Sequence, residues 1–143
     1  MEMRTLFVFI LILLGSHASR AACLSYQGSV TLHGKLSLKT FPGPPNYKDI
    51  HQGDKAETCW ILTLPHDVCI DEGMMGSDGI NVAVPQISEI ELATYDLPKQ
   101  TVAEMKKTLG KDVTITGSLF GAISGHHHTR ALLQLEKFGS ENK

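Results

Sequence analysis

Apolar and polar residues alternate with period two through much of this 143-residue chain. In VTLHGKLSLK (residues 30–39), Val30, Leu32, Leu36 and Leu38 share one face, and Thr31, His33, Lys35, Ser37 and Lys39 share the other. That pattern predicts a half-buried strand with Gly34 at its middle. TCWILTL (58–64) reads as a second strand, with Trp60, Leu62 and Leu64 on one face. SEIELAT (88–94) opposes Ile90 and Leu92 to Glu89 and Glu91. VTITGSLF (113–120) alternates Val113, Ile115 and Leu119 with threonine and serine around a second mid-strand glycine, Gly117. TRALLQLE (129–136) places Ala131, Leu133 and Leu135 on the inward parity.

One segment has helical spacing. After Pro98, KQTVAEMKKTLG (99–110) sets Val102, Met105 and Leu109 on one face, with Thr101 and Glu104 in capping-box register and Gly110 as a stop. The expected order is three strands, a helix, then two strands. This is the order of a mostly β, five-stranded OB-fold-like Greek-key barrel with one helix between strands 3 and 4. A two-layer sandwich is the alternative. The first and fourth strands share the pattern V-T-aliphatic-x-G-x-L. In the barrel they are neighbours that must both bend, and a central glycine is where strands bend.

The chain start changes the picture of where such a domain works. A short basic opening, Met1 to Arg4, precedes the unbroken apolar run Leu6 to Leu14, and Ser19-Arg20-Ala21 offers small residues to a signal peptidase. Nine apolar residues cannot cross a hydrocarbon core of ~30 Å, so residues 1–21 read as a secretory signal peptide cleaved before Ala22. Cys23 raises a lipoprotein alternative, but Arg20 stands where that signal takes an apolar residue. Residues 22–143 are expected to form a single domain, periplasmic or secreted, with no membrane span. Cleavage leaves 11 basic and 14 acidic residues, a formal net charge of −3. With no Lys/Arg run, nucleic acid is not an expected partner.

An exported chain with three cysteines is expected to form one disulfide and leave one thiol. A Cys59–Cys69 link requires a tight hairpin through Pro65-His66-Asp67, whereas Cys23–Cys69 would pin the mature terminus. The second is preferred and the first stays open.

Two loops carry the candidate chemistry. FPGPPNY (Phe41 to Tyr47) has three prolines in four residues, which stiffen it toward polyproline II, with Gly43 permitting a turn. The plain reading is a rigid connector whose rings cap the barrel end. The functional reading is a recognition surface using Phe41, Pro44, Pro45, Asn46 and Tyr47. GHHHT (Gly125 to Thr129) holds three of the seven histidines. In an OB-fold the loops joining strands 1–2 and 4–5 both flank the ligand face. A fifth strand starting near His126 would turn His126 and His128 to one face beside Arg130, and His127 inward with Ala131 and Leu133. The plain reading is a structural or solvated run, and the alternative is a zinc site on His126 and His128. Zinc needs three or four ligands; a third would have to come from His33, His51, His66 or a carboxylate, and no spacing nominates one. Asp71-Glu72-Gly73 through Ser77-Asp78-Gly79 reads as a flexible loop without the oxygen spacing of a calcium loop, and Gly53-Asp54 reads as a turn. There is no G-x-S-x-G, H-E-x-x-H or phosphate loop.

FPGPPNY, the segment G-D-x-x-E-T-x-W-I-L-x-L (Gly53 to Leu64) and G-S-L-F…G-H-H-H-T (Gly117 to Thr129) together resemble a family of short exported bacterial proteins, domain of unknown function 4431. The resemblance runs from Cys23 to about Leu135 and implies that Cys23 and Cys69 are the regular cysteines, with Cys59 an extra. It implies no activity. The chain departs from the resemblance at Ala122-Ile123-Ser124, where a further histidine and a threonine are expected. The expected function is a non-catalytic binding module for a small molecule, glycan or peptide, at a face built from Phe41, Pro44, Pro45, Asn46, Tyr47, His126, His127, His128 and Thr129. The alternatives are a metal-binding protein or metal-dependent hydrolase, and an inhibitor or immunity-type partner of an envelope protein.

Overall fold

Five strands hydrogen-bond in the order β1-β2-β3-β5-β4 in a computed structural model that describes residues 22–73 and 81–140. Residues 1–21, read above as a signal peptide, and residues 74–80 of the acidic loop lie outside the described residues. The elements are β1 (Ser29–Pro42), a single 3-10 turn (Ile50–Gln52), β2 (Ala56–Ile70), β3 (Val84–Ala93), α1 (Lys99–Lys107), β4 (Asp112–Gly121) and β5 (Ala131–Ser140). All neighbours are antiparallel except β3 and β5, and β1 pairs with β4, so the sheet closes into a barrel with α1 between β3 and β4 in sequence.

Closure depends on β1 changing partners. Residues Ser29 to Lys35 pair with β4, and Lys35 to Pro42 pair with β2. Gly34 stands at that corner, where a Cβ would lie 2.5 Å from the Thr63 carbonyl oxygen. Gly117 is tighter still, 2.1 Å from the Gln134 carbonyl oxygen, beside the register shift between β4 and β5. The glycines are needed because neighbouring backbone approaches too closely for any side chain.

Alternation fills the barrel. Leu36, Leu62, Ile90, Val113, Ile115 and Leu133 are all fully buried, and α1 contributes Met105 to the same cluster. The capping box does not form. Pro98 takes the N-cap position, so Thr101 already lies inside the first turn, and no side chain caps the helix. Leu109 stays exposed, while Gly110 follows the helix at φ +77° and donates its N–H to the Leu36 carbonyl.

β2 runs straight through Pro65-His66-Asp67 as one irregular strand, so the hairpin required for Cys59–Cys69 is absent. The disulfide joins Cys23 to Cys69 and leaves Cys59 free and half-buried. Leu24 continues the tie, donating to the Cys69 carbonyl (2.8 Å) and accepting from the Asp71 N–H (2.9 Å).

A second buried layer lies outside the barrel. Ile61, Glu91 and Leu132 face one another in register across β2, β3 and β5, on the parity opposite to the core. Ile61 and Leu132 are fully buried, and Glu91 is only 5% exposed. Something must cover that outer face, and the loops do.

Candidate functional site

The β1–β2 connection is built around Asp54. Its carboxylate accepts from the backbone N–H groups of Asn46 (2.8 Å), Lys48 (2.7 Å) and Asp49 (2.9 Å), and from the Asn46 amide. FPGPPNY is therefore a compact turn rather than an extended polyproline stretch. Tyr47 donates its N–H to the Gly43 carbonyl at 2.9 Å, and Gly43 and Pro44 pair with Lys55. Tyr47 adopts φ +56°, a left-handed conformation that is costly for a residue of this bulk. Gly43 has its own requirement, because a Cβ there would fall 2.6 Å from the side chain of Glu57.

Glu57 binds the other loop. Its Oε1 accepts from His126 Nδ1 (2.6 Å) and its Oε2 from His128 Nε2 (3.2 Å). A carboxylate can only accept, so those two ring nitrogens carry protons, and His126 Nε2 shares a hydrogen bond with the Tyr47 hydroxyl at 3.3 Å. Phe41 stacks on His128 with centroids 4.4 Å apart and planes 5° from parallel, and the Tyr47 ring meets His126 edge-on at 5.6 Å. Gly125 lies under Tyr47, where a Cβ would come within 2.9 Å of the ring. FPGPPNY thus meets GHHHT through its two end rings, Phe41 on His128 and Tyr47 on Gly125 and His126, with Glu57 between the loops.

Glu91 fixes the far side of the second loop. It accepts the His128 N–H at 2.7 Å, and its own N–H donates to Thr129 Oγ1 at 3.1 Å. The histidines belong to this loop and not to β5, which starts at Ala131. Strand parity therefore does not govern them. His127 does not enter the core: it accepts the Ile123 N–H at 3.0 Å and lies edge-on to Phe120. Arg130 donates to the Gln86 carbonyl. Pro44 is half-buried and Pro45 exposed in the turn, Asn46 serves Asp54, and Thr129 serves Glu91.

Beside the latch lies an open cavity of about 510 Å³ whose lining includes Glu57, Trp60, Glu91, Thr94, Tyr95 and His126. That volume falls in the range of small-molecule sites. Cys59 also lines it, but burial, then the charge and hydrogen bond of Glu91, push its thiol up to about 12, so it is no nucleophile near neutral pH. Burial raises the Glu57 carboxyl, yet the hydrogen bonds and charges of His126 and His128 outweigh it and hold the group below the usual carboxylate range. Among the described residues no group of three or more His, Cys, Asp or Glu is placed to hold a metal ion.

Residues 89–138 match a family model. It is DUF4431, a domain of unknown function. The DUF4431 segment takes in β4, the histidine loop, Glu91 and nearly all of β5, so it carries one half of the latch. No curated protein and no solved structure matches the chain. Among the described residues no helix is long and apolar enough to cross a membrane.

Periodicity did not single out Asp54, Glu57 or Glu91. Asp54 and Glu57 do stand within the G-D-x-x-E-T segment, so the motif contained the signal without its roles. Backbone donors, the Asp49 N–H first and the Lys48 N–H next, hold the Asp54 carboxyl at about 2 against an ordinary 3.8. A depressed folded value means that the stabilisation is full above the unfolded value and is lost as pH falls through the folded one. The Asn46, Lys48 and Asp49 amide resonances are therefore expected to keep their folded positions through the ordinary 3.8 and to shift only as pH approaches about 2. An amide-detected pH titration checks this, and a midpoint at the ordinary value would contradict it.

Proposed function

We propose that this chain is an exported, non-catalytic binding module of the OB-fold type, working in the periplasm or outside the cell. It takes a small molecule, glycan or peptide where FPGPPNY meets GHHHT. The observation that carries this reading is the Phe41–His128 and Tyr47–His126 contact over Glu57, at the rim of a cavity of about 510 Å³. Strand order, the parallel β3–β5 pair and the helix after β3 support the OB-fold assignment. The apolar run from Leu6 to Leu14 and the disulfide support export.

The chemistry of the lining favours binding over catalysis. The thiol is protonated near neutral pH, and both carboxylates are engaged in holding the loops. Two loops tied by side chains on a rigid barrel are preorganised, which lowers the ordering cost of binding.

A fragment screen of amines, sugars and short peptides, read by amide and side-chain NMR shifts, tests the reading. Shifts are expected to cluster on Phe41, Tyr47, Glu57, Trp60, Glu91, His126 and His128. Hits that map to another face, or no saturable hit from any class, would contradict it.

A further inference from the structure

We propose that an extended polypeptide segment of another protein binds in the cavity beside the latch, adding a strand to the free edge of β2 at Thr58. This deepens the binding-module reading, with a peptide as the ligand, and rests on it. β3 pairs with β2 only as far as the Trp60–Leu92 pair, whereas β2 continues against β1 to Ala56. Main-chain groups turn to alternate sides along an antiparallel strand. The Gly43 N–H donates to the Lys55 carbonyl and Ser37 Oγ to the Ile61 carbonyl, so odd-numbered residues here turn toward β1. Ala56 and Thr58 therefore turn theirs to the other side, where β3 has left. No main-chain N–H or C=O of either residue has a hydrogen-bond partner on that side among the described residues.

The cavity runs between two main chains. Residues 57–60 of β2 line one side, and residues 91–95, the end of β3 and the turn after it, line the other. The β2 side offers a donor and an acceptor every second residue, a repeat of about 7 Å, which is the spacing at which a second strand answers them. No proline interrupts Ala56 to Trp60, and Thr58 is exposed, so the edge is accessible. The protein already uses this mode at the other end of the same strand. Beyond Thr63 it is β1 that has left β2, and Leu24 lies parallel to Ile70 there, donating to the Cys69 carbonyl and accepting from the Asp71 N–H. An extended segment thus covers one vacated edge of β2, and the other stays open along the cavity. Tyr95, 74% exposed on the cavity wall, offers its ring to a side chain of the added strand.

The probe is acetyl-Thr-Val-Thr-Val-Thr-amide, followed by amide NMR. It is expected to shift the Ala56 and Thr58 amides saturably, with a Kd on the order of millimolar, and to slow Thr58 exchange. A strand uses one of its edges, so N-methylating the second and fourth amides, which leaves the opposite edge free, should keep binding within about threefold. Methylating both alternate sets should weaken it at least about tenfold. Thr58→Pro removes the outward N–H without touching the pairing to β1, and should weaken the parent peptide several-fold. An amide spectrum shows whether that variant keeps the fold, and the methylated series on the unaltered chain decides the matter if it does not. Fully methylated peptide binding within about twofold of the parent, or saturable shifts that miss Ala56 and Thr58, overturns strand addition. Thr58 protection that rises with protein concentration, without peptide, assigns the edge to a second copy of this chain and overturns the foreign peptide. No peptide binding, beside sugar or amine hits from the fragment screen at Phe41 and His128, overturns the peptide and leaves the binding module standing. If neither experiment finds a ligand, both readings fall.

Discussion

Removing the Cys23–Cys69 bridge, by paired serine substitutions or by reductant, is expected to cost about 4 kcal/mol of unfolding free energy. The link spans 46 residues, and chain-entropy scaling for a loop of that size gives this figure. Little else holds the first described residues. Leu24 makes a single bridge to Ile70, and Tyr26, 8% exposed, donates its hydroxyl to the Val82 carbonyl at 2.9 Å. A domain of this size has about 5–15 kcal/mol in total, so the loss is a large share of it. Urea unfolding of the oxidised protein and the double-serine variant measures the difference. A change below about 1 kcal/mol would mean that the noncovalent contacts suffice.

The second large effect is local. Glu57→Ala is expected to release the histidine loop from the proline loop while the barrel stays folded. It removes the acceptor shared by His126 and His128, and with it the atoms that Gly43 leaves room for. Amide exchange at His127 and His128 should accelerate at least about tenfold, because charge-assisted hydrogen bonds of this kind are among the stronger ones. Exchange in the core strands, at Leu62, Ile90 and Ile115, should be unchanged. Equal acceleration in both places would show that Glu57 supports the fold rather than the latch. Conversely, no acceleration at the histidines would show that Glu91 and the stacking on Phe41 hold the loop alone.

Alternation made the barrel legible because its inward residues follow strict parity: Leu32 and Leu36, Val113 and Ile115, Leu133 and Leu135. The same logic failed at the outer layer. Parity assigned Glu91 to solvent, and it would have assigned Ile61 and Leu132 there too, because alternation carries no information about a loop folding back over a strand. The histidines were misplaced for a related reason. Gly125 and the turn around it keep residues 122–130 out of β5, so the strand begins later than a run of β-compatible residues suggests. The capping box failed because Pro98 started the helix early. The aromatic and histidine residues of the site were legible as unusual motifs. The carboxylates that join them were not, since their partners lie far along the chain: Glu57 is 69 residues from His126, and Glu91 is 37 from His128.

The central claim is that FPGPPNY and GHHHT form one surface over Glu57. Nuclear Overhauser contacts between ring protons test it most directly. Cross-peaks are expected between Phe41 and His128, whose centroids lie 4.4 Å apart, and between Tyr47 and His126, at 5.6 Å. Both pairs absent, in a sample that shows the β1–β2 and β4–β5 cross-strand contacts, would contradict the account.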